Sequence, residues 1–344
     1  MKIAIDAMGG DNAPEVVIKG VIDYLKEQRF ESMLKIILVG KEKVIRKELK
    51  KNNFDPQGMI EIVDAREEIT MREQFMSYWR RRHQTSIKKG LDLVKKGSAQ
   101  AMISAGNTGA IMAISKNVLG NLKQIDRPAL ALMLPTPKGY SLLLDAGANV
   151  DSKPKNLVQF ALMGKVFLEN VYDIEDPKIA LMSIGEEEVK GNDLTKKTFN
   201  MLKSLDINFI GNVEGSDVYS GEADLIVTDG FTGNVALKVS EGVVETMQSM
   251  LMKEMGNTLL SKMGFFLVKS SIRRVRKKMD YAEYGGALLL GINGLVVVGH
   301  GKSNARAIKN AIYMGKKFVV ENVLEKITSE VEKSQSVLKE FNYV

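Results

Sequence analysis

A series of short apolar runs, separated by longer segments with helical patterning, constrains the fold of this chain more than any other feature. Hydrophobicity within the runs is continuous rather than alternating, which is typical of strands that are covered on both faces. Such strands build a mainly parallel sheet with helices on either side. We therefore expect a three-layer α/β/α fold, with residues 1–344 forming a single domain. The predicted strands are Ile3–Ala7, Ile36–Val39, Ile60–Ala65, Ala101–Ser104, Ser141–Asp145, Ile179–Ile184, Ile207–Ile210, Leu225–Thr228 and Leu295–Val298.

Sheets of this kind bind ligands beyond the carboxyl ends of their strands, so the segments that follow the strands contain the candidate functional residues. These segments are rich in Gly, Asn, Asp and Thr, which allow close approach and hydrogen bonding to a polar ligand. They are residues 6–12 with Gly9, Gly10 and Asp11, residues 104–109, 145–151, 184–192 and 229–234, and residues 299–303 with His300.

Two of these segments carry the same Gly-x-Thr-Gly pattern. Glycine lets a ligand approach the backbone, the threonine and asparagine side chains donate hydrogen bonds, and the helix predicted to follow directs its N-terminal N–H groups at an anion. The repetition predicts one acidic substrate held from two sides, or two acidic groups brought together. The alternative is that both turns only connect a strand to a helix. The residues are Gly106, Asn107, Thr108 and Gly109 in the first segment and Gly230, Thr232, Gly233 and the adjoining Asn234 in the second.

Residues 240–278 break the alternation of strands and helices, because no strand is predicted within them. Apolar residues recur there at three- and four-residue steps from Val244 to Leu259, as one face of a helix requires. Gly264 then interrupts the pattern before a basic second helix. We predict a helical hairpin that projects from the domain and packs through its methionine-rich face in a homodimer. Its expected tip consists of Phe265, Phe266, Leu267 and Val268.

This tip predicts contact with an anionic membrane. The four apolar side chains are followed directly by Lys269, Arg273 and Arg274, a pattern that suits the headgroup region of such a membrane. The alternative is that the tetrapeptide caps the core of the dimer.

Composition excludes several classes of protein. The chain has no cysteine and two histidines, His83 and His300, so disulfides, a cysteine nucleophile and a histidine-rich metal site are not expected. Gly301-Lys302-Ser303 lacks the upstream glycine of a P-loop, since Val296 holds that position. We expect no metal, no cofactor and no nucleic-acid partner.

Charge and hydropathy indicate where the protein acts. The net charge of +7 fits an acidic partner, substrate or membrane surface, although a solvated lysine-rich exterior is an alternative explanation. Asp6 comes too early for the core of a signal peptide, and about eighteen consecutive apolar residues, as a membrane span needs, occur nowhere. We therefore expect a cytoplasmic protein whose membrane contact is peripheral.

Lys190 is the cation best placed for chemistry. It lies between Glu186–Glu188 and Gly191 in one of the strand-end segments. One ammonium group there can hold a phosphate or neutralise an oxyanion that forms on a carbonyl group. The alternative is a surface lysine paired with the adjacent glutamates. His300 can titrate near neutrality, or it can serve only a local hydrogen bond.

Taken in order, the motifs of this chain resemble those of the phosphate acyltransferase family of bacterial phospholipid synthesis. The likeness spans almost the whole chain. One departure lies at Arg80–Ser86, where the family more usually has a lysine-rich run that ends in Asn-Ser-Ser. The motifs are Ile5–Pro14, Ile103–Ala110, Asp126–Ala129, Leu144–Val150, Lys190–Asn192, Asn208–Glu214, Val227–Val235 and Tyr284–Ala287.

The resemblance implies transfer of a fatty acyl group from acyl carrier protein to inorganic phosphate. It also implies a fold similar to phosphotransacetylases and isocitrate-dehydrogenase-like enzymes, a homodimer, and peripheral contact of the hairpin with the inner face of the cell membrane. The family's functional lysine falls on Lys190 and its functional asparagine on Asn234.

Chemistry agrees with this implication, because an acyl thioester is already activated and phosphate can attack it without a covalent enzyme intermediate. Two alternatives stay open. One is a phosphotransacetylase-like enzyme that uses acyl-coenzyme A, and the other is a non-catalytic dimer that senses anionic lipid.

Overall fold

The computed structural model describes residues 1–28, 34–56, 58–70, 84–278 and 284–334. The strands are β1 (Lys2–Asp6), β2 (Lys35–Gly40), β3 (Ile60–Asp64), β4 (Ala101–Ser104), β5 (Ala129–Thr136), β6 (Gly139–Leu144), β7 (Ile179–Met182), β8 (Phe209–Val213), β9 (Leu225–Val227), β10 (Ala287–Leu290) and β11 (Leu295–Val298). The helices are α1 (Glu15–Glu27), α2 (Glu42–Lys51), α3 (Ser86–Lys95), α4 (Thr108–Leu119), α5 (Pro154–Val171), α6 (Asp193–Lys203), α7 (Gly230–Gly256), α8 (Leu259–Lys278), α9 (Ala305–Val320) and α10 (Val323–Lys333).

The strands of the described residues form one eleven-stranded sheet, in the order β3-β2-β1-β4-β11-β10-β5-β6-β9-β7-β8. Pairs are parallel from β3 to β11 and again from β6 to β8. The pairs that β10 makes with β11 and β5, and the pair of β5 with β6, are antiparallel. The prediction of a mainly parallel α/β/α sheet is confirmed, although β5 and β10 are additional to the predicted strands.

Both faces of the sheet are buried, which explains the continuous hydrophobicity of the strands. In β4, Ala101 and Ile103 point into one apolar core and Met102 into the other. The first core receives α1, α5, α9 and α10, and the second receives α3, α4 and the beginning of α7. A strand with two buried faces has no polar side to alternate with, so its sequence reads as an unbroken apolar run.

The direction of the strands reverses halfway across the sheet. Only Pro137 and Lys138 separate β5 from β6, and Gly139 closes this connection with a φ of +134°. Three successive antiparallel pairs make β6, β9, β7 and β8 run opposite to β1, β2, β4 and β11. The strand ends that we expected to form a single functional edge therefore lie at two opposite edges of the sheet.

The hairpin predicted for residues 240–278 is longer than expected and turns at a different place. Helix α7 begins at Gly230 and α8 begins at Leu259, so the turn lies at Asn257 and Thr258. Thr258 accepts a hydrogen bond from the N–H of Ser261 at 3.0 Å, which caps the second helix. The expected tip is therefore wrong: Phe265–Val268 lie inside α8, and Gly264 is an exposed helical residue rather than a break.

Residues 305–333 contain two amphipathic helices, α9 and α10, whose apolar faces are buried against the domain. Of the divergent segment Arg80–Ser86, residues 80–83 lie outside the described residues, and Thr85 caps α3 by accepting from the N–H of Lys88 at 3.2 Å. Within the described ranges, no helix has the length and apolar character needed to cross a membrane.

Candidate active site

The loops that follow β1, β4 and β11 meet at one edge of the sheet, and we call residues 7–12, 105–107 and 299–304 the first loop cluster. The N–H of Asp11 donates to the carbonyl oxygen of Gly301 at 2.8 Å. A Cβ added to Gly9 would lie 2.8 Å from the nitrogen of Gly106. Gly10 has a φ of +107° and lies against Ala105. Close backbone contacts thus hold the predicted residues Gly9, Gly10, Asp11 and Gly106 within one cluster of three loops.

A buried carboxylate fixes this first loop cluster from below. Asp6 accepts hydrogen bonds from the hydroxyl of Ser104 at 2.7 Å and from the N–H of Met8 at 3.0 Å. The same hydroxyl accepts from the N–H of Gly106 at 3.1 Å. Burial raises the pKa of Asp6, while its hydrogen bonds favour the charged form. Asp6 therefore links two loops of the cluster and sets the position of the Gly106 backbone.

The first Gly-x-Thr-Gly pattern begins a helix, as predicted. The side chain of Asn107 accepts from the N–H of Ala110 at 3.0 Å and so caps α4. Thr108 and Gly109 form the first turn, where backbone N–H groups lack partners within the helix. This end of α4 faces the first loop cluster and offers it the positive end of a helix dipole.

His300 also belongs to the first loop cluster, and charged residues of α7 lie near enough to act on it electrostatically. Its Nδ1 accepts from the N–H of Lys302 at 3.2 Å. Desolvation by the surrounding protein lowers the pKa of His300, and the charges of Glu241 and Lys238 on α7 act on the same imidazole. The side chain is therefore neutral at neutral pH. Because α7 begins at the opposite edge of the sheet, this helix spans the distance between the two edges.

The loops that follow β6, β7 and β9 form the second loop cluster, which we define as residues 145–151, 183–192 and 228–234. The register of β7 and β9 places Leu181 beside Val227, so the loop with Lys190 and the beginning of α7 lie at the same edge. Both predicted catalytic residues, Lys190 and Asn234, are in this cluster. The two Gly-x-Thr-Gly patterns are consequently in different clusters.

A second buried carboxylate organises this second loop cluster. Asp145 accepts from the backbone N–H groups of Leu130, Gly147, Ala148 and Asn149 at 2.8–3.0 Å, and from the side-chain amide of Asn149 at 2.8 Å. Burial raises the pKa of Asp145, and the hydrogen bonds oppose that effect. The carboxylate closes residues 145–149 into a compact turn.

The first residues of α7 pack against this turn. The N–H of Gly230 donates to the carbonyl oxygen of Asn149 at 2.8 Å. A Cβ added to Gly233 would overlap the carbonyl oxygen of Asp145, and one added to Gly147 would lie 3.3 Å from the Cβ of Asn234. Gly230 and Gly233 are buried, so their observed role is tight packing of the helix against the turn. Their expected role in ligand binding stays a prediction.

The polar residues of the second pattern face outward. Asp229 caps α7 by accepting from the N–H of Thr232 at 2.9 Å, and its other oxygen accepts from the Thr232 hydroxyl at 2.7 Å. Thr232 and Asn234 are exposed on the first turns of the helix. The pattern therefore presents an asparagine amide and a helix N-terminus to solvent. The buried glycines on the other face of the helix pack against residues 145–149.

Lys190 is exposed in the loop after β7. Its N–H donates to the carbonyl oxygen of Glu187 at 2.9 Å, and its stem lies over Gly185. Within the part of the chain that the structure describes, its ammonium group forms no ion pair, whereas the neighbouring Glu188 pairs with Lys203. The alternative of a lysine neutralised by adjacent glutamates is therefore not what the geometry shows.

Sequence reasoning did not single out the two buried aspartates, although both lie in candidate segments. Asp6 and Asp145 occupy the same kind of position, at the carboxyl end of an apolar strand and before a glycine-containing turn. A charged residue at the end of a fully buried strand must be desolvated, and it stays there only if several donors surround it. This combination is the signal that could have identified them.

Comparison with known proteins agrees with the fold and the motifs. A family model described as fatty acid synthesis protein matches residues 1–326. A phosphate acyltransferase of Thermodesulfovibrio yellowstonii is 47% identical over 335 residues, which cover 97% of this chain and 95% of that relative. One of Geobacter sulfurreducens is 46% identical over 333 residues, with 96% and 94% covered.

A solved structure of a phosphotransacetylase from Streptococcus pyogenes superposes with a TM-score of 0.63 at 18% identity. The superposition covers 93% of this chain and 94% of that one. At this level of identity the likeness shows a shared fold.

Proposed function

This chain belongs to the phosphate acyltransferase family, and we propose that it transfers a fatty acyl group from acyl carrier protein to inorganic phosphate. It is an acyltransferase with the phosphotransacetylase fold. The observation that carries the finer proposal is that Lys190, which is exposed and forms no ion pair within the described residues, lies at the same edge of the sheet as Asn234 and the N-terminus of α7. Together they offer two donors and a helix dipole to a substrate with negative charge.

In the proposed reaction, an oxygen of phosphate attacks the thioester carbonyl carbon and forms a C–O bond. The carbonyl oxygen becomes an oxyanion, which the Lys190 ammonium group and the Asn234 amide stabilise. The C–S bond then breaks, the acyl phosphate is released, and the carrier thiolate takes up a proton from water. Positioning and charge stabilisation are sufficient here, since the thioester is already activated.

The first loop cluster is proposed to hold the second anionic group of the reaction. It combines the N-terminus of α4, the glycine backbone at Gly9, Gly10 and Gly106, and the neutral imidazole of His300. Helix α7 joins the two clusters, so a substrate that contacts both lies along this helix. The net charge of +7 favours encounter with an acidic carrier protein.

A donor comparison tests this proposal. Purified protein is mixed with hexadecanoyl-acyl carrier protein or hexadecanoyl-coenzyme A, each with and without phosphate, and acyl phosphate is measured. We expect product only when phosphate is present, and faster with the carrier protein as donor. Faster turnover with the coenzyme A donor would support the phosphotransacetylase-like alternative. Absence of turnover with both donors would refute the proposed activity and support the non-catalytic, lipid-sensing dimer.

We also propose that the chain forms a homodimer through α7. Large apolar side chains of this helix are exposed in the single chain, more than a soluble monomer ordinarily leaves in one helix. Packing against a second copy would bury them. They are Val239, Val243, Met247, Met250 and Leu251.

Membrane contact is proposed for α8 rather than for the turn of the hairpin. Phe266 and Leu267 are strongly exposed, and Met263 lies one turn before them. Lys262 and Lys269 lie on either side of this apolar group. An exposed apolar patch between cations suits the surface of an anionic bilayer.

Replacing both Phe266 and Leu267 by glutamate is expected to release the protein from anionic vesicles in a flotation assay. Each side chain contributes about 1.5–3 kcal/mol when it is withdrawn from water, so the double variant should bind at least roughly 100-fold more weakly. Val275→Glu is the control, because this exposed residue lies more than two helical turns beyond Phe266 and Leu267 in the same helix. A double variant that became monomeric would assign the patch to the subunit interface instead.

A further inference from the structure

Four large apolar side chains are exposed around the second loop cluster. Val150 is 67% exposed, Ile184 80%, Val189 75% and Phe231 60%. Single exposed apolar residues are ordinary, but strand-end loops of a polar site seldom carry four of them together. We call these four residues the apolar rim.

The backbone geometry places the members of the apolar rim at the same edge of the sheet. Val150 and Phe231 each directly follow one partner of the 2.8 Å hydrogen bond between the carbonyl oxygen of Asn149 and the N–H of Gly230. The register of β7 and β9 puts Leu181 beside Val227, so Ile184 reaches the same edge as the beginning of α7. Val189 directly precedes Lys190. The rim therefore spans all three loops of the second loop cluster, two of which hold Lys190 and Asn234.

The substrate of the proposed reaction has one part that fits such a surface. A fatty acyl thioester carries its reacting carbonyl at the end of an apolar chain, so the carbons next to the carbonyl must lie within a few ångströms of the groups that stabilise the oxyanion. Withdrawing these methylenes from water favours binding in proportion to their area. Phosphate and the carrier phosphopantetheine are polar and gain little from apolar side chains.

We propose that the apolar rim binds the fatty acyl chain of the donor and thereby makes the enzyme select long chains over short ones. This inference rests on the proposed function, since it names the part of the substrate that the second loop cluster receives. Ile184 and Phe231 are the largest members, and neither takes part in the hydrogen bonds that shape the cluster. They are expected to act on specificity and not on the chemical step.

Chain-length dependence tests the rim. In Ile184→Ser and Phe231→Ser, singly and combined, kcat/KM is measured with hexadecanoyl- and butanoyl-acyl carrier protein. We expect the double variant to lose roughly ten-fold with the long donor and less than about two-fold with the short one, since only the long chain buries methylenes against the rim. Val320→Ser, an exposed valine at the end of α9, should change neither value. Equal losses with both donors, or no loss with either, would overturn the proposal.

A binding measurement reports on the rim without turnover. The chain has no cysteine, so Ile184→Cys provides a single attachment point for a fluorophore whose emission depends on polarity. Hexadecanoyl-acyl carrier protein should shift this emission to the blue, the unacylated carrier should not, and the label on Val320→Cys should not respond. An unchanged spectrum would overturn the proposal even if the enzyme is active.

The two failures are distinguishable. A wild-type protein that forms no acyl phosphate from any thioester refutes the proposed function, whereas an active enzyme without chain-length effects refutes only the rim. If the serine variants shift sedimentation from dimer to monomer, the rim is covered by a second copy of the chain, and the acyl-binding proposal is wrong.

Discussion

Lys190→Ala is expected to lower kcat for acyl transfer by about 100- to 1000-fold, because it removes a charge aimed at the oxyanion of the transition state. The side chain is exposed and forms no ion pair within the described residues, so the midpoint of thermal unfolding should stay unchanged. Steady-state kinetics with hexadecanoyl-acyl carrier protein and phosphate measure the loss. Lys197→Ala is the matched control, since this exposed lysine lies on the adjacent α6.

The pattern of constants distinguishes catalysis from binding. A loss confined to KM for phosphate would place Lys190 in ground-state binding of the anion, whereas a loss in kcat places it at the developing charge. Asn234→Ala should change kcat in the same direction. Near-normal kcat in Lys190→Ala, with an unchanged requirement for phosphate, would contradict the assignment of this lysine.

Gly233→Ala is expected to destabilise the fold by about 1–3 kcal/mol, the usual range for an overpacked site. The added methyl group would overlap the carbonyl oxygen of Asp145 and push α7 away from the turn that positions it. Chemical denaturation measures the change. Activity per folded molecule should also fall, because Asn234 moves with the helix.

Gly242→Ala, in the same helix, is the matched control. An added Cβ at Gly242 meets no atom within 4 Å, so this substitution should stabilise α7 by about 0.4–1 kcal/mol through the smaller entropy of the unfolded chain. If Gly233→Ala were as stable as the wild type, the close docking of α7 on residues 145–149 would be refuted.

Much of the fold follows from local patterns. Continuous apolar runs predicted every strand except β5 and β10, since a strand buried on two faces leaves a recognisable sequence. Strand direction is not encoded in such runs. The two-residue connection between β5 and β6 reverses the strand direction. In the sequence the sign of this tight turn is Gly139, which adopts a positive φ in the structure. Because this antiparallel connection was not predicted, the loops after β6, β7 and β9 lie at the edge opposite to the one expected.

The candidate site was also predicted only in part. The Gly-x-Thr-Gly patterns predicted two helix N-termini, and both are present at Asn107 and Asp229. What the pattern could not reveal is that Gly230 and Gly233 serve packing, because that depends on residues 145–149, which are distant in the chain. The hairpin turn lies at Thr258, whose side chain caps the second helix, and not at Gly264, which continues that helix.

The central claim is that phosphate itself attacks the thioester in a site that contains Lys190. Its most direct test uses phosphate labelled with oxygen-18 and hexadecanoyl-acyl carrier protein, with mass spectrometry of the product and of the intact enzyme. We predict acyl phosphate that retains every labelled oxygen, including the one bonded to the acyl carbon, and an enzyme that never gains the mass of an acyl group. An acylated enzyme, or free fatty acid formed without acyl phosphate, would contradict this account.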